Sequence, residues 1–437
     1  MSSSRRRDVL KMVGAAALGA YSSARASAAE RPVRVGLVGV GNRGTSHVRT
    51  LLDVPGVELP AICDINEENL GRAQGIVEKA GRSRPEGYSR GVEDFRRMVQ
   101  REDLDAILTA TPWEWHTPVC VAAMKAGKYA ATEVPAAITV EECWELVNTS
   151  EQTGKPCMIL ENVCYYRNVM MVLNMIRQGV LGELVHAEGG YQHDVRAAKI
   201  SPTGEIKWRG MHSVKRNANL YPTHPIGPIA WWLDINRGDR FTYLVSMSSK
   251  SRGINHYVSK RFGAEHPNAK RAYALGDVNT TLIQTARGLT VTLYHDTQSP
   301  RPYDLILRVQ GTEGIYSGTL DKVFVEGRSP MAGARRNTPV WEELNEYYAK
   351  YEHPIWKTLG QTAKQYPHGP ADYIELEQFV QAVRNRSQTP IDVYDSATWS
   401  VITPLSERSV AGKSAAIDFP DFTRGKWQSA KPVEIRG

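Results

Sequence analysis

A short apolar segment, a glycine-rich turn and a helical segment follow one another early in the chain. Residues 32–38 read Pro-Val-Arg-Val-Gly-Leu-Val, a pattern typical of a buried strand, and residues 45–52 favour a helix. Between them Gly39, Gly41 and Gly44 form the spacing G-x-G-x-x-G. These glycines permit a tight turn and let a pyrophosphate approach the N–H groups that begin the helix. The spacing therefore predicts a Rossmann-type domain that binds a dinucleotide.

An acidic residue follows the second predicted strand at a distance that supports this interpretation. The strand at residues 57–63 is followed by Asp64, which lies 20 residues beyond Gly44. A carboxylate in this place can accept hydrogen bonds from the adenosine ribose hydroxyls, and it repels a 2′-phosphate. The sequence therefore favours NAD over NADP as the cofactor.

Predicted helices and strands alternate as far as residue 160. Helices are expected near residues 67–80, 92–100, 117–125 and 140–153, and strands at 105–109, 128–132 and 156–160. Alternation of this kind is typical of a parallel, doubly wound sheet, so residues 30–160 are predicted to form one NAD-binding domain. Three loops, at residues 111–116, 133–135 and 161–162, should converge at the carboxyl edge of this sheet.

The rest of the chain, residues 161–437, is predicted to be a substrate-binding α/β domain. Strands are expected at residues 184–193, 241–246, 279–286, 289–295, 304–310 and 322–326, and helices at 226–233, 371–384 and 395–411. The C-terminal helices should pack back on the first domain. Residues 347–368 are interpreted either as an irregular cover on the cleft or as a solvated surface. An exposed face of the second sheet would suit a homo-oligomer.

The first 29 residues have the pattern of a targeting signal. Arginines at positions 5–7 precede a small, apolar stretch at 12–20, and Ala-Ser-Ala follows at 26–28. The apolar stretch is about half of the ~20 residues that a membrane-spanning helix requires, so no transmembrane segment is expected. The paired arginines look like the twin-arginine type. We therefore expect a protein that is exported in the folded state and is periplasmic or secreted.

Charge and cysteine content argue against two other classes of protein. The 437-residue chain has a formal net charge of +7, but its first 29 residues contain five basic and only one acidic side chain. Little basic excess remains for a nucleic-acid partner. The five cysteines, at positions 63, 120, 143, 157 and 164, include no Cys-x-x-Cys pair. They are interpreted as buried thiols, and neither a disulfide framework nor a metal site is predicted.

The order of these features resembles the glucose-fructose oxidoreductase and inositol dehydrogenase (Gfo/Idh/MocA) superfamily. In that superfamily an open, mostly antiparallel sheet in a second α/β domain follows the Rossmann domain. Members usually have Glu-Lys-Pro where this chain has Glu133-Val134-Pro135, and an aspartate where it has Leu220, four residues before His224. Two of the three usual catalytic polar groups are therefore missing, which disfavours a plain alcohol dehydrogenase.

A further set of motifs is more specific. The motifs are Trp-Glu-Trp-His at 113–116, Thr-Glu-Val-Pro-Ala-Ala at 132–137, Glu-Asn-Val-Cys-Tyr at 161–165, Tyr-Gln-His-Asp at 191–194, Lys-Trp-Arg at 207–209 and Asn-Leu-Tyr-Pro-Thr-His at 219–224. Together they look like glycoside hydrolase family 109, whose members are NAD-dependent α-N-acetylgalactosaminidases. The resemblance implies cofactor contacts at Asn42, Arg43, Asp64, Trp113, Glu114, Trp115, His116, Glu133, Val134, Asn162, Tyr221, Pro222, Thr223 and His224. It implies sugar contacts at Tyr191, Arg209, Tyr221 and Tyr303.

The resemblance also implies a mechanism for hydrolysing a terminal α-N-acetylgalactosaminide on a glycan or glycoconjugate. A tightly bound NAD⁺ would oxidise C3 of the sugar, a base would remove the acidified C2 proton, and the C1–O bond would break by elimination. Water addition and re-reduction would regenerate the cofactor in each turnover. Tyrosine and histidine can move protons in such steps, so Tyr221, His224 and Tyr191 are the candidate catalytic residues. Which of them is the acid and which the base is left open.

Two other functions fit the same residues. An exported NAD-dependent sugar or cyclitol oxidoreductase, with His224 as general base, would form NADH or exchange electrons between sugars. A nucleotide-binding carbohydrate sensor would bind NAD and sugar without turnover. The missing lysine and aspartate favour the glycosidase over both.

Overall fold

The computed structural model describes residues 31–333, 338–363 and 369–435. The predicted signal segment, residues 1–29, lies outside the described residues. Within these ranges no helix is both long enough and apolar enough to cross a lipid bilayer. The described chain forms two large sheets and one two-stranded sheet, with helices packed around them.

Six parallel strands form the first large sheet. Strands β1 to β6 are Val33–Val38, Val57–Cys63, Glu86–Tyr88, Ala106–Thr109, Tyr129–Thr132 and Cys157–Ile159. Their spatial order, β3-β2-β1-β4-β5-β6, is that of a doubly wound Rossmann fold. Helices α1 to α5 are Asn42–Asp53, Glu67–Lys79, Phe95–Met98, His116–Lys125 and Val140–Thr153. The predicted fold class of this half is confirmed.

Local sequence explains why these elements begin and end where they do. All four residues of β4 and of β5 are buried, as expected for central parallel strands that helices cover on both faces. Helix α5 begins with a capping box, in which the Glu142 amide donates to Thr139 Oγ1 over 3.1 Å. It ends at Gly154, whose φ of +66° lies in the left-handed region that glycine adopts easily because it has no Cβ.

The second large sheet contains nine strands. Strands β7 to β17 are Leu184–Gln192, Phe241–Ser248, Val278–Thr285, Thr290–Asp296, Arg308–Gly311, Gly314–Ser317, Lys322–Val325, Met331–Ala332, Thr338–Pro339, Glu342–Glu343 and Ile417–Asp418. The order in the nine-stranded sheet is β16-β13-β12-β11-β7-β10-β9-β8-β17, and β14 pairs with β15 separately. Only the β7–β10 pair in this sheet is parallel. The predicted open, mostly antiparallel sheet is therefore confirmed.

The remaining helices lie around this sheet and against the first domain. Helices α6 to α17 are Arg167–Arg177, Arg196–Lys199, Trp208–Lys215, Thr223–Trp232, Gly253–Phe262, Pro267–Lys270, Asn345–Tyr351, Pro354–Thr358, Gly360–Ala363, Pro370–Asn385, Val393–Ser400 and Ile402–Ala411. Two serines of α16 join it to the Rossmann domain. The Ile159 amide donates to Ser396 Oγ and the Ala136 amide to Ser400 Oγ, each over 3.0 Å. Helix α16 therefore helps to support the cleft between the two domains.

The predicted bounds of one helix and one strand were wrong. Of the helix predicted at 92–100, only Phe95–Met98 is helical, because Gly91 has a φ of +143° and the Asp94 carboxylate holds a turn by accepting from the Arg90 amide. Of the strand predicted at 304–310, only the part from Arg308 is a strand, and Asp304 forms an isolated antiparallel bridge with Gln192. Ile306 and Leu307 have φ of +62° and +42°, and such left-handed residues cannot continue a strand.

Two predictions about the C-terminal part also need correction. The single helix predicted at 395–411 is two helices, because Pro404 has no amide N–H to bond the carbonyl four residues earlier. The segment 347–368 was interpreted either as an irregular cover or as a solvated surface, and its described part is mostly helical, in α12 to α14, so it is not irregular. Its residues 364–368 lie outside the described residues.

Two other expectations concern burial and exposure. All five cysteines are buried and free, which confirms their interpretation as buried thiols. The outer face of the second sheet exposes Met247 and Leu282, whose exposed fractions are 66% and 50%. An exposed apolar face of this kind is compatible with a homo-oligomer, which stays a prediction.

Candidate active site

A cleft of about 790 Å³ opens at the carboxyl edge of the first sheet, where the loops after β1 and β4 diverge. Its volume lies within the roughly 300–1,000 Å³ of common ligand sites. The reversal of strand order at this point is where doubly wound sheets bind ligands. The predicted cofactor residues that line it are Gly39, Gly41, Asn42, Arg43, Asp64, Trp113, Trp115, His116, Glu133, Val134, Asn162, Tyr221 and His224. Residues from six separate segments are thus brought together.

The glycine turn at one end of this cleft has the geometry that a pyrophosphate requires. A Cβ added to Gly41 would have no heavy atom within 4 Å, so the space in front of the turn is open. A Cβ added to Gly44 would lie 1.9 Å from the Gly39 carbonyl oxygen, so that glycine is needed for close packing of the turn on α1. No side chain caps the first turn of α1, and its N–H groups can meet phosphate oxygens. The turn therefore fits a dinucleotide.

Asp64 lies at the end of β2, beside this turn. Its Oδ2 accepts from the Val40 amide over 2.7 Å, and its Oδ1 accepts from the Asn66 amide over 2.8 Å. Both donors are backbone amides, and no cationic side chain of the described residues forms an ion pair with Asp64. Asp64 therefore lies where the adenosine ribose is expected, with no paired cation among the described residues to offset its repulsion of a 2′-phosphate.

The Trp-Glu-Trp-His segment forms one wall of the cleft. The Trp113 ring is buried, and its centroid lies 5.7 Å from that of Tyr221. The buried His116 begins α4, with Nδ1 2.6 Å from the Pro135 carbonyl and Nε2 2.9 Å from the Thr111 carbonyl. His116 thus joins two of the three loops that were predicted to converge, in addition to facing the cleft.

Four predicted cofactor residues do not line the cleft: Gly44, Glu114, Pro222 and Thr223. Gly44 packs against the Gly39 carbonyl, as described above. Glu114 points away, and its Oε1 lies 3.2 Å from His212 Nε2. Pro222 and Thr223 are buried at the start of α9, where they fix the course of the chain between Tyr221 and His224. These four positions support the cleft rather than form its surface.

Glu133 carries a charge that its neighbours hold in place. His47 Nε2 lies 2.7 Å from Glu133 Oε1, and Arg43 Nε donates to the same oxygen. Burial by itself raises the pKa of Glu133, but the charge of Arg43 and the hydrogen bond from His47 outweigh it and bring the pKa below the usual range. Glu133 is therefore ionised at neutral pH and has no proton to donate.

The three candidate catalytic side chains meet at the other end of the cleft. Tyr191 is the penultimate residue of β7, Tyr221 lies two residues before α9, and His224 is in the first turn of α9. The ring centroids of Tyr191 and Tyr221 are 4.5 Å apart, and the His224 centroid lies 5.4 Å and 5.1 Å from them. Burial raises the pKa of both tyrosines, so their phenols stay protonated at neutral pH. They are therefore hydrogen-bond and proton donors.

Glu161, which the sequence placed only at the edge of the sheet, is bonded to His224. It is fully buried, and its Oε1 lies 2.7 Å from His224 Nδ1. Because a carboxylate accepts hydrogen bonds, the neutral tautomer that fits this contact carries its proton on Nδ1 and presents Nε2 as an acceptor. Gly227 makes this approach possible, because a Cβ there would lie 2.8 Å from Glu161 Cγ. No sequence spacing pointed to this pair, since 63 residues separate its members.

The remaining predicted sugar contacts surround the aromatic cluster. The Arg209 guanidinium lies 5.4 Å from the ring centroids of Trp113 and Tyr221, and in the described part of the chain no carboxylate pairs with it. Its planar fork is thus available for a polar ligand. Tyr303 is 47% exposed and does not line the main cleft. Its ring lies 4.9 Å from that of His193, at the rim beyond Tyr191.

A buried lysine behind this cluster gives a testable pH dependence. Burial and the neighbouring charge of Arg209 lower the pKa of Lys199 from its usual 10.5 to about 7. Between those pH values the unfolded chain binds more protons than the folded chain, so this group makes stability rise with pH, by up to about 1.4 kcal/mol per pH unit. We expect the free energy of unfolding of Lys199→Met to rise less steeply with pH than that of the wild type. Denaturant unfolding of both proteins at pH 7, 8 and 9 measures this difference, and an equal pH dependence in the two proteins would contradict the expectation.

The fold and this cleft define a protein with an NAD-binding oxidoreductase fold. Residues 33–161 match the family model described as an oxidoreductase family with an NAD-binding Rossmann fold. Residues 165–429 match the model described as the C-terminal domain of glycosyl hydrolase 109. The chain belongs to glycosyl hydrolase family 109, and it is therefore a glycoside hydrolase that carries an NAD-binding domain.

Relatives agree with this family assignment, and solved structures share the fold. An α-N-acetylgalactosaminidase of Tannerella forsythia is 44% identical over 420 residues, which cover 92% of this chain and 88% of the relative. A glycosyl hydrolase family 109 protein of Shewanella baltica (strain OS185) is 42% identical, with 99% of both chains covered. A levoglucosan dehydrogenase in complex with NADH and L-sorbose shares the fold, with a TM-score of 0.67, 22% identity, and 90% of this chain and 100% of that chain covered.

Proposed function

We propose that this protein hydrolyses terminal α-N-acetylgalactosaminides of glycans or glycoconjugates, with an NAD that stays tightly bound and is regenerated in each turnover. The observation that carries the proposal is the cluster of Tyr191, Tyr221 and His224 at the end of the dinucleotide cleft. Its full-length relative from Tannerella forsythia, which is named for this activity, supports the choice of sugar.

The carboxylates near this cluster do not suit an ordinary glycosidase. Such enzymes use two carboxyl groups across the scissile bond, one of which must donate a proton. Glu133 is held ionised by Arg43 and His47. Glu161 is fully buried, and one of its oxygens is bonded to His224. The proton transfers are therefore assigned to the tyrosines and the histidine.

The residues then have separate tasks. When bound, NAD⁺ supplies a reversible acceptor of electrons from C3 of the sugar. In its neutral form His224 donates from Nδ1 to Glu161, and its Nε2 accepts a proton from the substrate. The protonated phenols of Tyr191 and Tyr221 donate to the leaving and hydroxyl oxygens. Arg209 holds a polar group of the sugar or its N-acetyl oxygen.

The balance of the reaction explains why no external oxidant is needed. The C3 ketone makes the C2 proton acidic, its removal expels the C1 oxygen substituent, and water adds to the resulting double bond. Reduction at C3 returns the electron pair, so the sum is hydrolysis without net oxidation. A cofactor that never leaves suits an exported enzyme, and the arginine pair in residues 1–29 supports export in the folded state. We expect a variant with Arg5→Lys and Arg6→Lys to remain in the cytoplasmic fraction when the cells are fractionated.

The decisive experiment follows release of 4-nitrophenol from its α-N-acetylgalactosaminide by the purified protein. Matched assays use substrate with hydrogen or deuterium at C2, and bound and free NADH are measured in the same samples. We expect release, exchange or an isotope effect at C2, and no net NADH. NADH accumulation with free sugars and no 4-nitrophenol would favour the sugar oxidoreductase instead. Binding of NAD and sugar without either product would favour the sensor.

A further inference from the structure

A carboxylate from the C-terminal part of the chain holds two side chains of the cofactor cleft. Asp372, in the first turn of α15, has a side chain that is only 1% exposed. Its Oδ1 accepts from Asn162 Nδ2 over 2.6 Å, and its Oδ2 accepts from Arg43 Nη1. Arg43 follows β1 and Asn162 follows β6, so these two partners come from opposite halves of the Rossmann sheet.

Asp372 itself does not line the cleft, whereas both of its partners do. Its influence on a bound ligand must therefore pass through Arg43 and Asn162. Arginine has many rotamers, and ordering its side chain for a ligand costs conformational free energy. Glu133 binds one edge of the Arg43 guanidinium and Asp372 binds another, so two anions fix its plane before any ligand is present.

We infer that Asp372 is a positioning residue for the NAD site, and that through it helix α15 slows release of the cofactor. The inference rests on the proposed function, in which NAD remains bound between turnovers. On this inference, the second domain helps to hold a nucleotide whose binding site is on the first domain. Loss of the Asp372 charge would leave Glu133 as the one carboxylate of the described residues that holds the Arg43 guanidinium.

The test uses Asp372→Asn, which keeps the shape and an acceptor for Asn162 but removes the charge that Arg43 requires. The matched control is Glu151→Gln. Glu151 lies on α5 and also joins the two domains, by accepting from Lys426 Nζ over 2.7 Å and from Tyr394 Oη over 2.8 Å, but it does not line the cleft. NAD content after purification, the rate of NAD release into excess unlabelled NAD, and Tm are measured for each full-length protein.

We expect Asp372→Asn to release NAD at least about 10-fold faster than the wild-type protein, as the loss of one charge-assisted hydrogen bond allows. Glu151→Gln should leave the release rate unchanged, because Glu151 contacts neither the cleft nor Arg43. Equal release from Asp372→Asn and the wild type would overturn the inference. If Asp372→Asn does not fold, Asp372→Ser removes the same charge with a smaller side chain, and an unchanged release rate there would overturn the inference equally.

The same data separate this inference from the proposed function. Wild-type protein that retains no NAD through purification and gel filtration would contradict the tightly bound cofactor itself. Wild-type protein that retains NAD, together with an Asp372→Asn variant that retains it as well, would contradict only the role of Asp372.

Discussion

A His224→Gln variant is expected to lose about 10²–10⁴-fold in kcat for release of 4-nitrophenol, because a positioned general base contributes by about this factor. Glutamine keeps a polar side chain of similar length but cannot accept and return a proton at neutral pH. The measurement is kcat with Tm and NAD content determined on the same preparation. Unchanged NAD content with low kcat identifies loss of the base rather than loss of the cofactor.

Two further variants make this result specific. His186→Gln changes a histidine of the second sheet that lies outside the cleft, with Nδ1 2.8 Å from Thr290 Oγ1 and Nε2 3.6 Å from Glu188 Oε1, and it should leave kcat unchanged. Glu161→Gln preserves the shape beside His224 Nδ1 but no longer fixes the tautomer, and should lower kcat at least about 10-fold. Wild-type activity in His224→Gln would remove histidine from the mechanism. Wild-type activity in Glu161→Gln would limit Glu161 to packing.

Gly44→Ala is expected to prevent stable folding of the Rossmann domain. The added Cβ would lie 1.9 Å from the Gly39 carbonyl oxygen, and the atom it meets is backbone that cannot turn aside. Overpacking against side chains costs about 1–3 kcal/mol, and this contact should cost more than that. Circular dichroism and thermal unfolding measure the loss, and a Tm within a few degrees of the wild type would contradict the close packing of the turn.

Gly41→Ala is the matched control, three residues earlier in the same turn. A Cβ there meets no heavy atom within 4 Å, and its φ of −62° is open to alanine. We therefore expect an unchanged Tm. The methyl group occupies the space in front of the helix N-terminus, so NAD binding should weaken by at least about 10-fold. Equal NAD affinity in this variant would place the pyrophosphate elsewhere.

The Rossmann half was predictable because each of its signals is local. Helix α5 was predicted with the observed bounds, since its capping box and its terminal glycine lie within one segment of 16 residues. The second sheet was harder, because its strands are short and pair over long sequence distances. The errors fell where a single side chain or backbone angle overrides the pattern, as at Asp94, Ile306 and Pro404.

The candidate site divides in the same way. Local spacing in the sequence by itself determined the dinucleotide turn and the acid after β2. The resemblance of its motifs named Tyr191, Tyr221 and His224 as candidates, and the tertiary structure brings their rings together. Only the tertiary structure decided that Glu161 bonds to His224 and that Asp372 bonds to Arg43 and Asn162. These partners are separated by 63, 329 and 210 residues. Polar side chains so far apart in the chain meet only when the two domains pack together and exclude water between them. Local sequence patterns therefore do not predict these contacts.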